Sequence, residues 1–183
     1  MLSNLIKNIA QKLKDEKINY MIIGGSALLA YSIPRLTKDI DITISLAPED
    51  VGKIIKICKK LNLKILTSTP ESFVRKTSVL PAQDKKSGFR IDFIFSTSEY
   101  EKQALKRAKR FQLENSYVRF ASPEDIIIHK FIAGRTRDIE DIKNLLAKQH
   151  IDFAYIKSWL KKFDQALSTS YLKEFEKLIQ SLT

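Results

Sequence analysis

Between Tyr20 and Ile44 the chain reads YMIIGGSALLAYSIPRLTKDIDITI, and no other stretch restricts its fold as tightly. Tyr20 to Ile23 is a short apolar run halted by Gly24 and Gly25, the pattern of a buried strand. Ser26 to Ser32 suits a short helix, and Pro34 stops it because the residue before a proline is pushed out of the helical region. From Asp39 to Leu46 polar and apolar residues alternate strictly. Successive side chains of a strand point to opposite faces. Asp39, Asp41, Thr43 and Ser45 therefore share one face, and Ile40, Ile42, Ile44 and Leu46 the other. The result is a strand with an apolar back and a polar front.

The remaining pattern mixes strands and helices up to about residue 121 and is helical beyond it. Leu2, Leu5, Ile6, Ile9 and Leu13 recur at helical spacing and predict an amphipathic first helix. Pro48 opens a helix to about Leu61, with Glu49 and Asp50 in its first turn, where the helix dipole favours acids. Leu63 to Leu66 suggests a strand, Phe73 to Leu80 another, PAQDKKSG a loop, and Phe89 to Phe95 a further strand. Ser98 to Arg110 is expected to be a helix carrying five basic residues, followed by a hairpin of Phe111–Leu113 and Tyr117–Phe120. Ser122-Pro-Glu-Asp is an N-cap signal. Helices are expected from there to Gly134, over Arg135–Gln149, over Asp152–Phe163 and over Ser168–Leu182. The expected architecture is α/β (α+β): a mixed-sheet core over residues 1–121 and a helical C-terminal subdomain over residues 122–183.

Composition narrows the partners. The formal net charge of +11 favours a polyanion, whether nucleic acid or nucleotide. No apolar run reaches the roughly 18 residues a spanning helix needs, so no membrane is expected and the expected compartment is the cytoplasm. One cysteine, Cys58, excludes an internal disulfide and a cysteine-rich zinc site and reads as a packing residue.

Three features carry chemistry. Asp39 and Asp41 project from one side of a strand, and two carboxylates about 4 Å apart repel by roughly 4 kcal/mol at an effective dielectric near 20. Such a pair shares a proton or holds a cation. With a phosphate substrate nearby that cation is Mg²⁺ (or Mn²⁺), which takes one or two carboxylates plus phosphate oxygens. The alternative is an exposed strand edge with two solvated acids. Gly24-Gly25-Ser26 forms a turn whose free N–H groups favour an anion, with Ser26 adding a hydroxyl. Asp92, in the middle of FRIDFIF, is costly there unless paired or coordinated. It would serve as a general base toward an attacking hydroxyl, or else as a partner for Arg90.

The order hydrophobic-Gly-Ser, about a dozen residues, Asp-x-Asp on a strand, then a third acid inside a later strand resembles the DNA polymerase β-type nucleotidyltransferase superfamily. Here it stands as Ile23-Gly24-Gly25-Ser26, Asp39-Ile40-Asp41 and Ile91-Asp92-Phe93. The fuller stretch GGSALLAYSIPRLTKDIDI, with Pro34, Arg35 and Thr37, more closely resembles the AbiEii-like toxin branch. So does PEDIIIHKFIAGRTRDIEDI, with Lys130, Arg135, Asp138 and Asp141.

The resemblance implies a metal-dependent transfer of a nucleoside monophosphate from an NTP to an acceptor hydroxyl, with release of pyrophosphate. It implies metal at Asp39 and Asp41, triphosphate at Gly24, Gly25 and Ser26, Arg35 on phosphate or base, and Lys130 neutralising phosphate charge. Asp138 would be a further catalytic acid, in competition with Asp92 for the place of third carboxylate. The implied partners are an NTP, an RNA acceptor such as a tRNA 3′ end and an antitoxin protein. The alternatives are a protein or small-molecule hydroxyl as acceptor, or a non-catalytic binding module on the same fold.

Overall fold

A computed structural model of the chain describes residues 2–181. The end of the last expected helix at Leu182 lies outside the described residues. Two compact units form: residues 2–30 with 34–121, and residues 31–33 with 122–181.

The first unit is a seven-stranded mixed sheet with helices. In chain order it comprises α1 (Leu2–Asp15), β1 (Tyr20–Ile23), α2 (Gly24–Leu28), β2 (Asp39–Ile44), α3 (Val51–Lys60), β3 (Leu63–Ile65), α4 (Pro70–Thr77), β4 (Val79–Asp84), β5 (Arg90–Phe95), α5 (Glu99–Arg107), β6 (Lys109–Leu113) and β7 (Ser116–Phe120). The strand order is β3-β4-β5-β2-β1-β7-β6. β1 and β2 are antiparallel, with Ile23 opposite Asp41, while β2 and β5 are parallel, with Asp41 opposite Asp92. The alternation read from the sequence is realised in burial: Ile40, Ile42, Ile44, Ile91, Phe93 and Phe95 are all buried, and Asp39, Asp41, Arg90 and Asp92 are not. α1 buries Ile6, Ile9, Ala10 and Leu13, and α3 buries Val51, Ile54, Ile57 and Cys58. Burial pushes the Cys58 thiol up to about 12, which keeps it protonated and inert.

Three local expectations are corrected. Phe73 to Thr77 is helix, not strand: Pro70 at the first position and Glu71 in the first turn start α4, and Ser78 ends it in the left-handed region. The strand begins at Val79 and runs through residues expected to form a loop, including Pro81. Pro81 cannot donate to the ladder, but its carbonyl still accepts from the Leu66 N–H, just past the end of β3. α5 stops at Arg107, which puts Lys109 and Arg110 on strand β6 rather than on the helix. The start of α5 is fixed by a capping box between Ser98 and Glu101.

The second unit is helical: α6 (Pro123–Ala133), α7 (Thr136–Lys148), α8 (Phe153–Leu167) and α9 (Tyr171–Gln180). Ser122 caps α6, accepting from the Asp125 N–H and donating to the Asp125 carboxylate, and Gly134 closes it at φ +63°. Gly134 is the left-handed position that glycine takes without strain. α6 is buried almost all round, and Phe131 meets Phe175 and Tyr171 edge-on. Among the described residues no helix is long and apolar enough to cross a membrane.

Candidate active site

The site is built where the C-terminal end of β1 meets the N-terminal ends of β2 and β5. Because β1 and β2 are antiparallel, the turn after Ile23 is delivered beside Asp41. Gly24 takes φ +68°, and a Cβ placed on it would lie 2.3 Å from Asp41 Oδ2. The glycine is therefore required twice, for its left-handed backbone and for the room it leaves the carboxylate. Gly24→Ala is expected to destabilise the first unit by about 1–2 kcal/mol from backbone strain alone and to displace the Asp41 carboxylate. Gly25→Ala, whose Cβ would meet the Thr37 hydroxyl at 3.3 Å, should do much less. Thermal melts of the two variants side by side check this, and equal melting temperatures would contradict the close approach.

Ser26 is buried, and its hydroxyl donates to the Asp39 carbonyl at 2.9 Å. The Thr37 hydroxyl donates to the same carbonyl at 3.0 Å. Two hydroxyls from either side thus tie the glycine turn and the following loop to the first residue of β2. Thr37 was legible only as part of the longer motif; its spacing two residues before Asp39 is the signal for this clamp. The Arg35 side chain runs past Gly25, its Cγ 3.6 Å from where a Cβ would be.

Three carboxylates gather on the polar front. Asp39 and Asp41 are two residues apart on β2, and Asp92 is the register partner of Asp41 on the adjacent parallel strand. Adjacent strands lie about 4.8 Å apart, so the carboxylates repel one another unless positive charge offsets them. Part of that charge comes from Arg90, the register partner of Asp39. Its Nε donates to Asp92 Oδ1 at 3.0 Å and to Oδ2 at 3.1 Å. The hydrogen bond and charge of Asp92, with smaller contributions from Asp39 and Asp41, hold the guanidinium even more firmly protonated than usual. Asp92 thus sits beside the acid pair and is paired with Arg90.

Lys130, Asp138 and Asp141 lie in the other unit, joined to one another. Lys130 Nζ donates to Asp138 Oδ1 at 3.0 Å and to Asp141 Oδ2 at 2.6 Å, all three side chains being at least 95% buried. Arg135 Nε adds a bond to Asp138 Oδ2 at 2.7 Å. Burial raises the Asp138 carboxyl, but the hydrogen bonds from Arg135 and Lys130 and their charges outweigh it and hold the group below its ordinary range. Asp138 is therefore an ionised carboxylate, not a neutral acid. An ammonium has three N–H donors; two of those on Lys130 are in use.

No curated protein matches the chain by sequence. Among solved structures it is similar to the antigenic nucleotidyltransferase-like protein from Paracoccidioides brasiliensis, at 19% identity over 94% of this chain and 92% of that one, with a TM-score of 0.59. It is similar to the antibiotic-resistance factor ANT(2″)-Ia at 17% identity, 99% and 94% coverage and a TM-score of 0.61. For the lincosamide antibiotic adenylyltransferase LnuA the values are 18%, 75%, 91% and 0.53. At such identities the likeness is one of fold. The family is carried by sequence: the model for "Nucleotidyltransferase of unknown function (DUF6036)" matches residues 1–180, and the chain belongs to that family, a nucleotidyltransferase.

Proposed function

We propose that the chain moves a nucleoside monophosphate from an NTP to the 3′ hydroxyl of an RNA, tRNA foremost, with Mg²⁺ held by Asp39 and Asp41. We assign it to the AbiEii-like toxin branch, with a toxin or phage-defence role and an antitoxin as protein partner. The observation that carries the chemistry is the Asp41 carboxylate lying directly over the Gly24 turn, with Asp92 in register beside it. Among the described residues no group of three or more His, Cys, Asp or Glu side chains is arranged to hold a metal. A two-carboxylate site completed by substrate phosphates suits Mg²⁺, which binds through one or two carboxylates and keeps other ligands. When bound, the ion neutralises charge on the triphosphate and polarises the phosphoryl group under attack.

The chain's own groups do the rest. The backbone N–H groups of the Gly24–Ser26 turn receive phosphate oxygens, while the Ser26 and Thr37 hydroxyls hold the turn against β2. Asp92 accepts the proton of the attacking hydroxyl, its carboxylate oriented by Arg90. Arg35 offers positive charge to the nucleotide, and within the helical unit Asp138 and Asp141 fix the Lys130 ammonium. The RNA acceptor is supported by the net charge of +11.

A small-molecule hydroxyl is the second reading. It is favoured by the nearly full-length overlay with ANT(2″)-Ia, a protein also solved with adenylyl-2″-tobramycin. Incubation with each α-phosphate-labelled NTP, Mg²⁺ and either total RNA, total protein or tobramycin separates these. Label is expected in RNA, abolished by chelation of the metal. Label in tobramycin alone would establish the second reading, and label in protein alone would overturn both.

A further inference from the structure

Away from the Gly24 turn, α1, the first residue of β1 and the β6–β7 hairpin enclose a groove of about 640 Å³. Lys7, Lys14, Lys17, Arg110 and Arg119 line it, and no acidic residue among the described ones does. Most lysines with a partner elsewhere on the surface sit in neutral pairs, such as Lys53 with Asp50, Lys60 with Glu16 and Lys157 with Glu176. In the groove only Lys7 does so, with Glu114; Lys14, Lys17, Arg110 and Arg119 make no ion pair among the described residues.

Arg110 and Arg119 are also direct cross-strand partners. Like charges placed so destabilise a sheet, and an anion between them would remove that cost. The Arg119 Nη2 donates to the Leu105 carbonyl, yet its buried Nε–H has no acceptor among the described residues. Beside the cations stands Tyr117, 60% exposed, with the Arg110 guanidinium 4.7 Å above its ring.

Backbone cations interleaved with an exposed aromatic ring are the elements of a single-strand nucleic-acid track. We propose that this groove holds the phosphate backbone of single-stranded RNA, with a base stacked on Tyr117, at the end of β1 remote from the catalytic turn. Tyr20 lines the groove and Gly24 follows Ile23, so β1 separates the two by roughly four residues at about 3.3 Å each. An acceptor bound there presents its backbone to the groove while its 3′ end extends toward the carboxylates. The proposal rests on the RNA-acceptor reading above and adds the surface that selects it.

Fluorescence anisotropy with a short fluorescein-labelled single-stranded RNA, without NTP, tests it. Lys14→Glu combined with Arg110→Glu is expected to weaken binding about tenfold or more and to reduce the slope of log K against log salt by about 1.4, two phosphate contacts at about 0.7 each. Tyr117→Ala, which leaves the charge unchanged, should weaken binding about fivefold or more. Lys14, Arg110 and Tyr117 are all exposed, so folding should survive, and unchanged thermal melts would show it. Lys53→Glu with Lys102→Glu alters net charge equally outside the groove and should weaken binding far less.

Equal weakening by that control pair, absence of RNA binding by the unmodified chain, or binding to phosphatidylserine vesicles in preference to RNA would each overturn the groove assignment. RNA labelling that the groove variants leave unchanged also overturns it and leaves the acceptor reading standing. Groove-dependent RNA binding without any RNA labelling overturns the acceptor reading alone.

Discussion

Asp41→Asn should lower kcat/KM for nucleotidyl transfer by about 10³-fold or more while leaving the chain folded. The substitution keeps shape and removes one of the two negative charges that would bind the metal, so the loss falls on the reaction. The first unit should lose little stability, because the substitution also relieves repulsion. Asp41 stands in register with Asp92, two residues from Asp39, and the exposed Arg90 offsets part of the cluster. Neutralising one member relieves repulsion that water already screens in part. A rate assay alongside a thermal melt reads both halves. A rate within tenfold of the unmodified chain would remove Asp41 from the metal, whatever its place over Gly24. A low rate with a lowered melting temperature would make the effect structural. Adding excess Mn²⁺ or Mg²⁺ should recover some of the loss, because a weakened site is filled by mass action.

The strands that carry this site were readable because a period of two is a strong signal when isoleucine and phenylalanine alternate with charge, as in Asp39–Ile44 and Arg90–Phe95. The same periodicity put Asp92 on the face of Arg90. What it withheld is register. Nothing in FRIDFIF says that Asp92 stands opposite Asp41, because pairing is decided by two segments 51 residues apart and by the helices between them. The errors came where local signals compete. Phe73 to Leu80 has the apolar content of a strand, and only Pro70 with Glu71 identifies α4; Pro81 argued against a strand whose neighbour happens to end beside it. Lys109 and Arg110 continue the basic run of α5, so composition hid the break at Ala108 that turns them onto the β6 edge. The role of Ser26 was the least accessible of all. A serine after two glycines suggests a phosphate ligand, and only the fold reveals that its hydroxyl donates to the Asp39 carbonyl.

Lys130→Met should destabilise the helical unit by about 3–5 kcal/mol, the usual effect of deleting one partner of a buried ion pair. Met keeps the length of the side chain and removes the ammonium from between two carboxylates that α7 presents to it, one of them 2.6 Å away. Arg135 still reaches Asp138, but its side chain is 75% exposed and screened by water, so it offsets little of the loss. The pH dependence follows from Asp138. Its folded value is depressed, so its contribution is complete above the ordinary carboxylate value of 3.8 and is lost as pH falls through the lower folded value.

In the Met variant Asp138 loses that support and binds protons more readily. The deficit should therefore be widest near about pH 7 and narrow toward about pH 4.5. Trp159, the single tryptophan, is buried in α8 and reports this unit by its fluorescence during urea unfolding. Adding Asp141→Asn to Lys130→Met should restore part of the stability, since it removes one of the two charges left behind. A Met variant as stable as the unmodified chain at neutral pH, with only a raised KM for NTP, would show that the ammonium serves the nucleotide and not the helices. A loss of both, with the double variant recovering stability but not rate, would show that the ion pair holds Lys130 ready for the phosphate through its third donor.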